Sequence, residues 1–202
     1  MVFAGLSFRL AAGGALLLTG TNGSGKTSLL RILATLITPA GGHLLWGAAP
    51  VEADPAAYRA QLDFVGHQEG VKPSLTPRET LMFWAALRGI EPRRSPRLVE
   101  EALTAFVLDP VADWPCRWLS AGQRRRTALA RLLAAPASLW LLDEPTSALD
   151  DENQSRLEGI IAEHRAAGGR VVVASHTPME LETTAALTLD AFAPLPDDAA
   201  IC

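Results

Sequence analysis

Apolar and polar positions recur along this chain with two different periods, and together they predict a sheet whose strands are connected by helices. Alternating apolar residues over 1–10 predict a first strand, with Phe3 facing inward. Four continuous apolar runs predict buried strands at residues 15–19, 61–68, 139–144 and 171–175. The last of these runs is expected to form the final strand of the sheet. A short strand is expected at 43–46. Helical spacing predicts four helices: residues 28–36, 81–87, 124–134 and 150–161.

Between residues 69 and 118 the composition shifts to helices, prolines and arginines, which predicts a helical subdomain inserted into the sheet domain. Thr76 and Glu79 have the spacing of a capping box, so Thr76 is expected to cap the helix behind it. Ser120 is expected to cap a later helix. The apolar surface of residues 81–87 is too broad for one buried stripe, and core packing and a docking groove for a partner are both open interpretations.

Other polar groups are interpreted as parts of the surface. The arginines at 124, 125 and 126 are expected to form a solvated helix face, and His164 is expected to be a surface residue. Residues 194–202 are acidic and alanine-rich, with little to pack, so disorder is expected there.

Bulk properties narrow the class of protein. The 202 residues suit one globular domain, and 49% hydrophobic residues are ample for a core. A net charge of −4 gives no basic footprint, which disfavours nucleic acid as the main partner. Cys116 and Cys202 lie far apart, which indicates neither a disulfide framework nor a metal site and favours a reduced, cytosolic compartment. Because no apolar run approaches the ~20 residues that span a bilayer, a soluble or peripheral protein is expected.

A glycine-rich stretch between a predicted strand and a predicted helix carries the clearest chemical signal. It fits the phosphate-loop pattern GxxxxGK[ST]. The stretch comprises Gly20, Thr21, Asn22, Gly23, Ser24, Gly25, Lys26, Thr27 and Ser28. Glycines let backbone N–H groups approach phosphate oxygens, Lys26 adds a charge for the β- and γ-phosphates, and Thr27 offers a hydroxyl to a bridging magnesium ion. The loop therefore predicts a nucleotide site at a helix N-terminus.

Polar side chains end three of the predicted strands, at the edge where such a sheet meets its ligand. Gln68 is a candidate contact to magnesium or to the attacking water. Asp143 is expected to hold magnesium, directly or through water, and Glu144 to point at the water that attacks the γ-phosphate. His176 follows the last strand and is expected at the same edge.

In order and spacing, these motifs resemble the ATP-binding cassette (ABC) ATPase family across essentially the whole chain. Gln68 matches the family's glutamine loop, Glu144 ends its acidic strand and His176 matches its switch histidine. The LSGGQ signature is matched by Leu119, Ser120, Ala121, Gly122 and Gln123, with alanine in place of one glycine. The stretch from Ser147 to Asp150 resembles the loop that lines the dimer seam.

The resemblance implies an α/β fold of the P-loop NTPase, RecA-like kind. Its mostly parallel sheet core would carry an inserted α-helical signature subdomain, at about 69–118 of a single domain over 1–202. ATP and Mg²⁺ are the implied ligands, with Thr27, Gln68 and Asp143 serving the metal. Glu144 would polarise water, Gln68 would sense the γ-phosphate and His176 would contact the transferring phosphate. A second copy would complete the site, because the family's signature closes over the ATP of the opposite subunit.

Within the family, residues 26–33, 66–68 and 118–126 resemble the ATP-binding subunits of the haem exporters of bacterial cytochrome c maturation. This implies a peripheral ATPase on the cytoplasmic face of the inner membrane, bound to integral haem-exporter subunits. One alternative is the ATPase of another small-molecule or lipid exporter, since nothing in the chain touches the cargo. A second is a non-transport ABC ATPase acting on nucleic acid or ribosomes, although its coiled-coil insertion or tandem cassettes are absent. A P-loop regulator without hydrolysis is a third, which Glu144 argues against.

The start of the chain departs from the family pattern. The family usually begins with another strand and an aromatic residue that stacks on adenine, and Met1 comes too late for both. Phe3 is a nearby aromatic residue, and its expected inward placement makes it a poor substitute. Without stacking, a loss of about 1–3 kcal/mol of base contact would weaken ATP binding roughly 5- to 150-fold. Either another residue substitutes, or the chain's start is shortened.

Overall fold

The computed structural model of the protein describes residues 2–176, 179, 181 and 185–193. Five strands form one sheet in the order β4-β5-β6-β1-β7, and all neighbouring strands are parallel. These strands are β1 Ala15–Thr19, β4 Leu62–Val65, β5 Leu139–Asp143, β6 Arg170–Ala174 and β7 Ala185–Thr188. Strands β2 Leu45–Trp46 and β3 Ala49–Pro50 form a separate antiparallel hairpin. The four buried strands expected from the apolar runs are confirmed.

The described part of the chain contains six α-helices, which lie between the strands in the sequence. Their bounds are α1 Lys26–Leu33, α2 Pro55–Gln61, α3 Pro77–Leu87, α4 Ser95–Ala105, α5 Ala121–Ala134 and α6 Asp151–Ala166. Both predicted N-caps are confirmed: Thr76 forms a capping box with Glu79, and Ser120 forms one with Gln123. Helix α1 ends earlier than expected, because Thr35 adopts a left-handed backbone with φ 57°.

Helices cover both faces of the sheet, and alternate residues of each strand supply the two halves of the core. On β5, Leu139 and Leu141 pack with α1 and α2, whereas Trp140 and Leu142 pack with α3 to α6. All four side chains are buried. A parallel sheet needs such cover because both of its faces are apolar. This packing on both faces therefore fixes the ends of the strands, which the polar residues of the predicted site follow.

Helices α3 and α4 lie between β4 and α5 in the chain and pack against each other and against α5. Leu81 and Ala85 of α3 are fully buried, while Phe83 and Leu87 on its other side are 51% and 64% exposed. Core packing thus explains part of the broad apolar surface of this helix. The boundaries of the helical subdomain, at 69–118, stay a prediction.

Two expectations about the ends of the sheet are wrong. The first is the opening strand, because residues 2–10 form no regular element. Their side chains reach the core at Phe3, Leu6 and Leu10 without sheet pairing, and the Ala4 N–H donates to Phe192 O at 2.9 Å. The second concerns β6, which is not the final strand, since β7 follows it and pairs with β1. The tail over 194–202 lies outside the described residues.

His164 is expected on the surface, and the structure contradicts this in part, because the side chain is half-buried. Its ring stacks on Trp140, with the ring centroids 3.7 Å apart and the planes within 6°. The backbone of Gly169 lies so close that a Cβ there would sit 2.1 Å from His164 Nε2. Burial lowers the pKa of His164, so the neutral imidazole is favoured. Among the described residues, no helix is both long and apolar enough to cross a bilayer.

Candidate functional site

The loop between β1 and α1 has the backbone that an anion site requires. Gly20, Gly23 and Gly25 have φ values of 138°, 86° and 102°, a region that other residues rarely adopt. A Cβ at Gly20 would lie 2.7 Å from Ser24 Oγ, so the loop also needs glycine there for space. Ser24 Oγ is buried without a hydrogen-bond partner among the described residues. A cradle of this kind, with an unsatisfied hydroxyl, suits phosphate oxygens.

Lys26 is folded into this loop at the start of α1. Its Nζ donates to Gly20 O at 2.7 Å and to Thr21 O at 3.1 Å. The side chain is largely buried, so the ammonium group is held over the loop rather than in solvent. The charge therefore lies over the loop for which the sequence predicts a phosphate-binding role.

Thr27 and Asp143 meet across the edge of the sheet. The Thr27 Oγ1 hydroxyl donates to Asp143 Oδ2 at 2.9 Å, although 116 positions separate the two residues in the chain. Mg²⁺ binds hard oxygen ligands and usually takes one or two from the protein and the rest from phosphates and water. No cluster of three or more His, Cys, Asp or Glu suited to a metal occurs in the described part of the chain. The Thr27 and Asp143 oxygens fit a magnesium ion shared with a nucleotide.

Glu144 and His176 form the next pair along the same edge. His176 Nδ1 lies 2.8 Å from Glu144 Oε2, and the His176 N–H reaches the same oxygen at 3.3 Å. The Glu144 backbone has φ 49°, an uncommon left-handed conformation for a non-glycine residue, and its N–H donates to Ala174 O at 2.8 Å. Strands β5 and β6 thus bring together two side chains that the sequence assigned to one site.

Gln68 is exposed and lies beyond the end of β4, the strand that pairs with β5. Among the described residues it makes no hydrogen bond to Thr27 or Asp143, so its role at the metal stays a prediction. Ser147 is exposed, and Asp150 caps α6 by accepting from Asn153 N–H at 2.9 Å. Hydrogen bonds from Asn153 hold the pKa of Asp150 below its usual range. The dimer-seam assignment of both residues stays a prediction.

The signature residues surround the N-terminus of α5. Ser120 Oγ accepts from the Gln123 N–H at 3.1 Å, and Gly122 packs so closely that a Cβ there would lie 2.9 Å from Ala148 O. Leu119 is buried, and Ala121 begins the helix. Ser120, Gly122 and Gln123 line a polar cleft of about 500 Å³. This cleft presents a helix N-terminus, which favours negatively charged groups.

The prediction of a solvated arginine face on α5 is wrong. Arg125 is 2% exposed and donates four hydrogen bonds to backbone carbonyl oxygens. Arg126 donates to the carbonyls of Phe106 and Val107, and Arg124 donates to Leu119 O and pairs with Glu69. Arginine carries five donors in a planar fork, so one buried side chain can satisfy carbonyls from several segments. The triplet therefore fastens α5 to its neighbours.

Sequence reasoning also missed Asp190, which follows β7. Its carboxylate accepts from the Thr21 N–H at 2.9 Å and from the Thr21 hydroxyl at 2.7 Å. These two hydrogen bonds hold the pKa of Asp190 below its usual range. Asp190 thereby ties the phosphate loop to the far edge of the sheet. No local pattern marks it, because its partner lies 169 positions away.

Comparison with known proteins points to one family. The model of the ABC transporter family matches residues 3–147. The chain is 56% identical to the "Cytochrome c biogenesis ATP-binding export protein CcmA" of Rhodospirillum rubrum, over 98% of this chain and 84% of that protein. It is 52% identical to the protein of the same name in Paramagnetospirillum magneticum, over 96% of this chain and 89% of that one.

Solved structures of ABC transporter cassettes have the same fold as this chain at lower sequence identity. A dimeric bacterial ABC transporter cassette superimposes with a TM-score of 0.79 at 25% identity, over 87% of this chain and 80% of that one. The same cassette, in a dimeric post-hydrolysis state bound to ADP and Pi, superimposes with a TM-score of 0.76. The fold is that of an ABC ATPase cassette, with a mostly parallel sheet and flanking helices.

Proposed function

This chain belongs to the ABC transporter family and, within it, to the cytochrome c biogenesis ATP-binding export proteins, and on that premise we propose that it powers the haem exporter of c-type cytochrome maturation. The chain is an ABC-type ATPase. Its reaction is the hydrolysis of ATP to ADP and phosphate, and its work is the transfer or release of haem by integral membrane subunits.

One observation carries the enzymatic part of this proposal. Thr27 and Asp143 are hydrogen-bonded, and Glu144, the next residue, is bonded to His176. The two pairs join the start of α1, which follows β1, to the ends of β5 and β6 at one edge of the sheet, beside the folded ammonium group of Lys26. A phosphate cradle, a hard-oxygen pair and a carboxylate base are the parts that phosphoryl transfer to water requires.

Nucleotide binding begins with a change of partners at Lys26. Its ammonium group exchanges the carbonyls of Gly20 and Thr21 for phosphate oxygens, while the loop N–H groups surround the β-phosphate. A bound Mg²⁺ would neutralise developing charge on the phosphates. Thr27 and Asp143 supply two protein oxygens for it. Gln68 reaches the γ-phosphate from the end of β4.

Hydrolysis then depends on the Glu144 carboxylate. It accepts a proton from water as the water oxygen attacks the γ-phosphorus, and the bond from that phosphorus to the bridging oxygen breaks, which leaves ADP and phosphate. His176, which now holds the Glu144 carboxylate, contacts the transferring phosphate when the nucleotide is in place. General-base catalysis contributes about 10²- to 10⁴-fold to such rates.

A second copy of the chain completes the site. The N-terminus of α5, with Ser120 and Gly122, closes over the ATP of the opposite subunit, with Leu119, Ala121 and Gln123 shaping that surface. The dimeric state of the similar cassette supports this arrangement. Ser147 and Asp150 lie at the seam. The dimer binds integral subunits at the cytoplasmic face of the inner membrane and drives them by opening and closing.

Purification of the tagged chain from membranes tests the choice of cargo. The proposal expects integral subunits to co-purify with bound haem, and it expects the complex to hydrolyse ATP. A chain that brings down a lipid or drug exporter instead would overturn the haem assignment and leave the ATPase intact. A complex that does not hydrolyse ATP in the presence of magnesium would contradict the enzymatic mechanism itself.

A further inference from the structure

Arg125 joins three parts of the candidate site through one side chain. Its Nε donates to Pro145 O at 3.1 Å, its Nη1 to Gly66 O at 2.9 Å, and its Nη2 to Asp143 O and Glu144 O at 2.9 and 2.8 Å. Asp143, Glu144 and Pro145 form the turn at the end of β5. Gly66 begins the segment that leads from β4 to Gln68.

The turn at the end of β5 needs such support. Glu144 has φ 49°, and non-glycine residues keep left-handed conformations only where the surrounding structure holds them. The Glu144 N–H is bonded to Ala174 O on β6, and its carbonyl accepts from Arg125. The peptide groups on both sides of the Glu144 Cα are therefore fixed, which sets the direction of the side chain toward His176.

The anchoring side chain belongs to α5, which begins at the signature residues. Arg125 lies in the second turn of this helix, just beyond Ser120 and Gly122. Because the α-helix is a rigid element, a shift of its N-terminus is passed to the guanidinium group and so to the four carbonyls. Its 2% exposure means that water cannot replace these bonds if the guanidinium is lost.

We infer that Arg125 is a positioning residue for ATP hydrolysis: it holds the β5 turn that aims the Glu144 carboxylate and links this turn to the signature end of α5. The inference rests on the proposed function, in which Glu144 is the general base. Arg125 does not touch the nucleotide in this account. Its loss should therefore slow turnover without weakening nucleotide binding.

The test compares Arg125→Lys with Arg131→Lys in the complete complex. Arg131 is a matched control, because it lies on the same helix and is 7% exposed. Its guanidinium group donates hydrogen bonds to the Asp63 carboxylate and to Phe64 O rather than to the turn at the end of β5. Arg125→Lys is expected to lower kcat on the order of 10- to 100-fold, as misplacement of a catalytic group by about 1 Å does, with the Kd for ATP changed less than about threefold. Arg131→Lys is expected to keep kcat within about threefold of the wild type.

A double variant separates positioning from general loss of structure. On the Glu144→Gln background, Arg125→Lys is expected to change the residual rate less than about threefold, because the carboxylate that it positions is already gone. A full additional loss would place Arg125 at another step and overturn the inference. Equal kcat values for Arg125→Lys and Arg131→Lys, or a Kd for ATP that rises in parallel with the loss of kcat, would overturn it too.

Separate controls distinguish a variant that does not fold from a failure of the proposed function. If Arg125→Lys does not fold by circular dichroism, Arg125→Gln, which keeps two N–H donors and removes the buried charge, takes its place with the same expectations. A wild-type complex that does not hydrolyse ATP contradicts the proposed function. A wild-type complex that does, beside an Arg125 variant with undiminished kcat, contradicts only the inference.

Discussion

Tyr58 offers a quantitative test of how the helix behind the phosphate loop is held. Its hydroxyl, on α2, donates to Leu33 O at the end of α1 with a distance of 2.7 Å, and its side chain is 3% exposed. Tyr58→Phe removes the donor and leaves a buried carbonyl without its partner. That loss costs about 1–3 kcal/mol of the free energy of unfolding at neutral pH.

The same residue makes stability depend on alkaline pH. Burial raises the pKa of Tyr58 from 10.0 to about 12. Because the folded state keeps a proton that the unfolded state loses, the stabilisation is complete below pH 10 and declines as pH rises toward 12. At pH 11, between those two values, the wild type should have lost about 1.4 kcal/mol relative to Tyr58→Phe. The variant should therefore approach or pass the wild type in stability.

The assay is denaturant unfolding of both proteins from neutral pH to pH 11. Other titrating groups are shared by the two proteins, so the difference isolates Tyr58. It is the only tyrosine in the sequence, and tyrosinate absorbance in the folded protein reports its pKa directly. A stability difference that stays constant from pH 9 to pH 11, or a tyrosine that titrates near its usual pKa of about 10, would refute the reasoning.

Two further pairs of variants test the stacking of His164 on Trp140 of β5 and the pairing of Asp63 with Arg131 of α5. Gly169→Ala should displace the His164 ring from Trp140 and cost about 1–3 kcal/mol in thermal or denaturant unfolding. Gly159→Ala, in α6 with nothing within 4 Å of its added Cβ, should instead stabilise by up to about 1 kcal/mol, and equal effects at the two glycines would contradict the stacking. Asp63→Ala should cost about 3–5 kcal/mol, because it leaves the buried charge of Arg131 unpaired. Asp63→Ala combined with Arg131→Met should recover most of this loss, and a double variant no more stable than the single one would contradict a paired charge.

Local chemistry made the phosphate loop and the strand ends predictable. Glycine spacing, the capping-box pairs and the apolar run before Asp143 and Glu144 each depend on residues close together in the chain. Parallel strands end at one edge of a sheet, so the meeting of Thr27 with Asp143 follows from the order of motifs. The structure brings these two together as a hydrogen-bonded pair.

Long-range partners decided the features that the sequence did not predict. Three adjacent arginines are usually solvated, and Arg125 is buried only because carbonyls at Gly66 and at the β5 turn converge on it. The position of His164 depends on Trp140, which lies on β5, and on the space at Gly169, in the connection between α6 and β6. Asp190 reaches Thr21 from the opposite end of the chain. Gly169 follows His164 closely in the chain, but the other partners lie outside any local sequence window.

ATP binding and turnover of Glu144→Gln, measured on the same purified complex, test most directly whether these strand ends form one hydrolytic site. Glutamine keeps the size of the side chain and an oxygen that can accept from His176, so the fold and the Kd for ATP should be preserved. The rate of ATP hydrolysis should fall by about 10²- to 10⁴-fold, because the amide cannot accept a proton from water. Undiminished turnover in a variant that binds ATP normally would contradict the account.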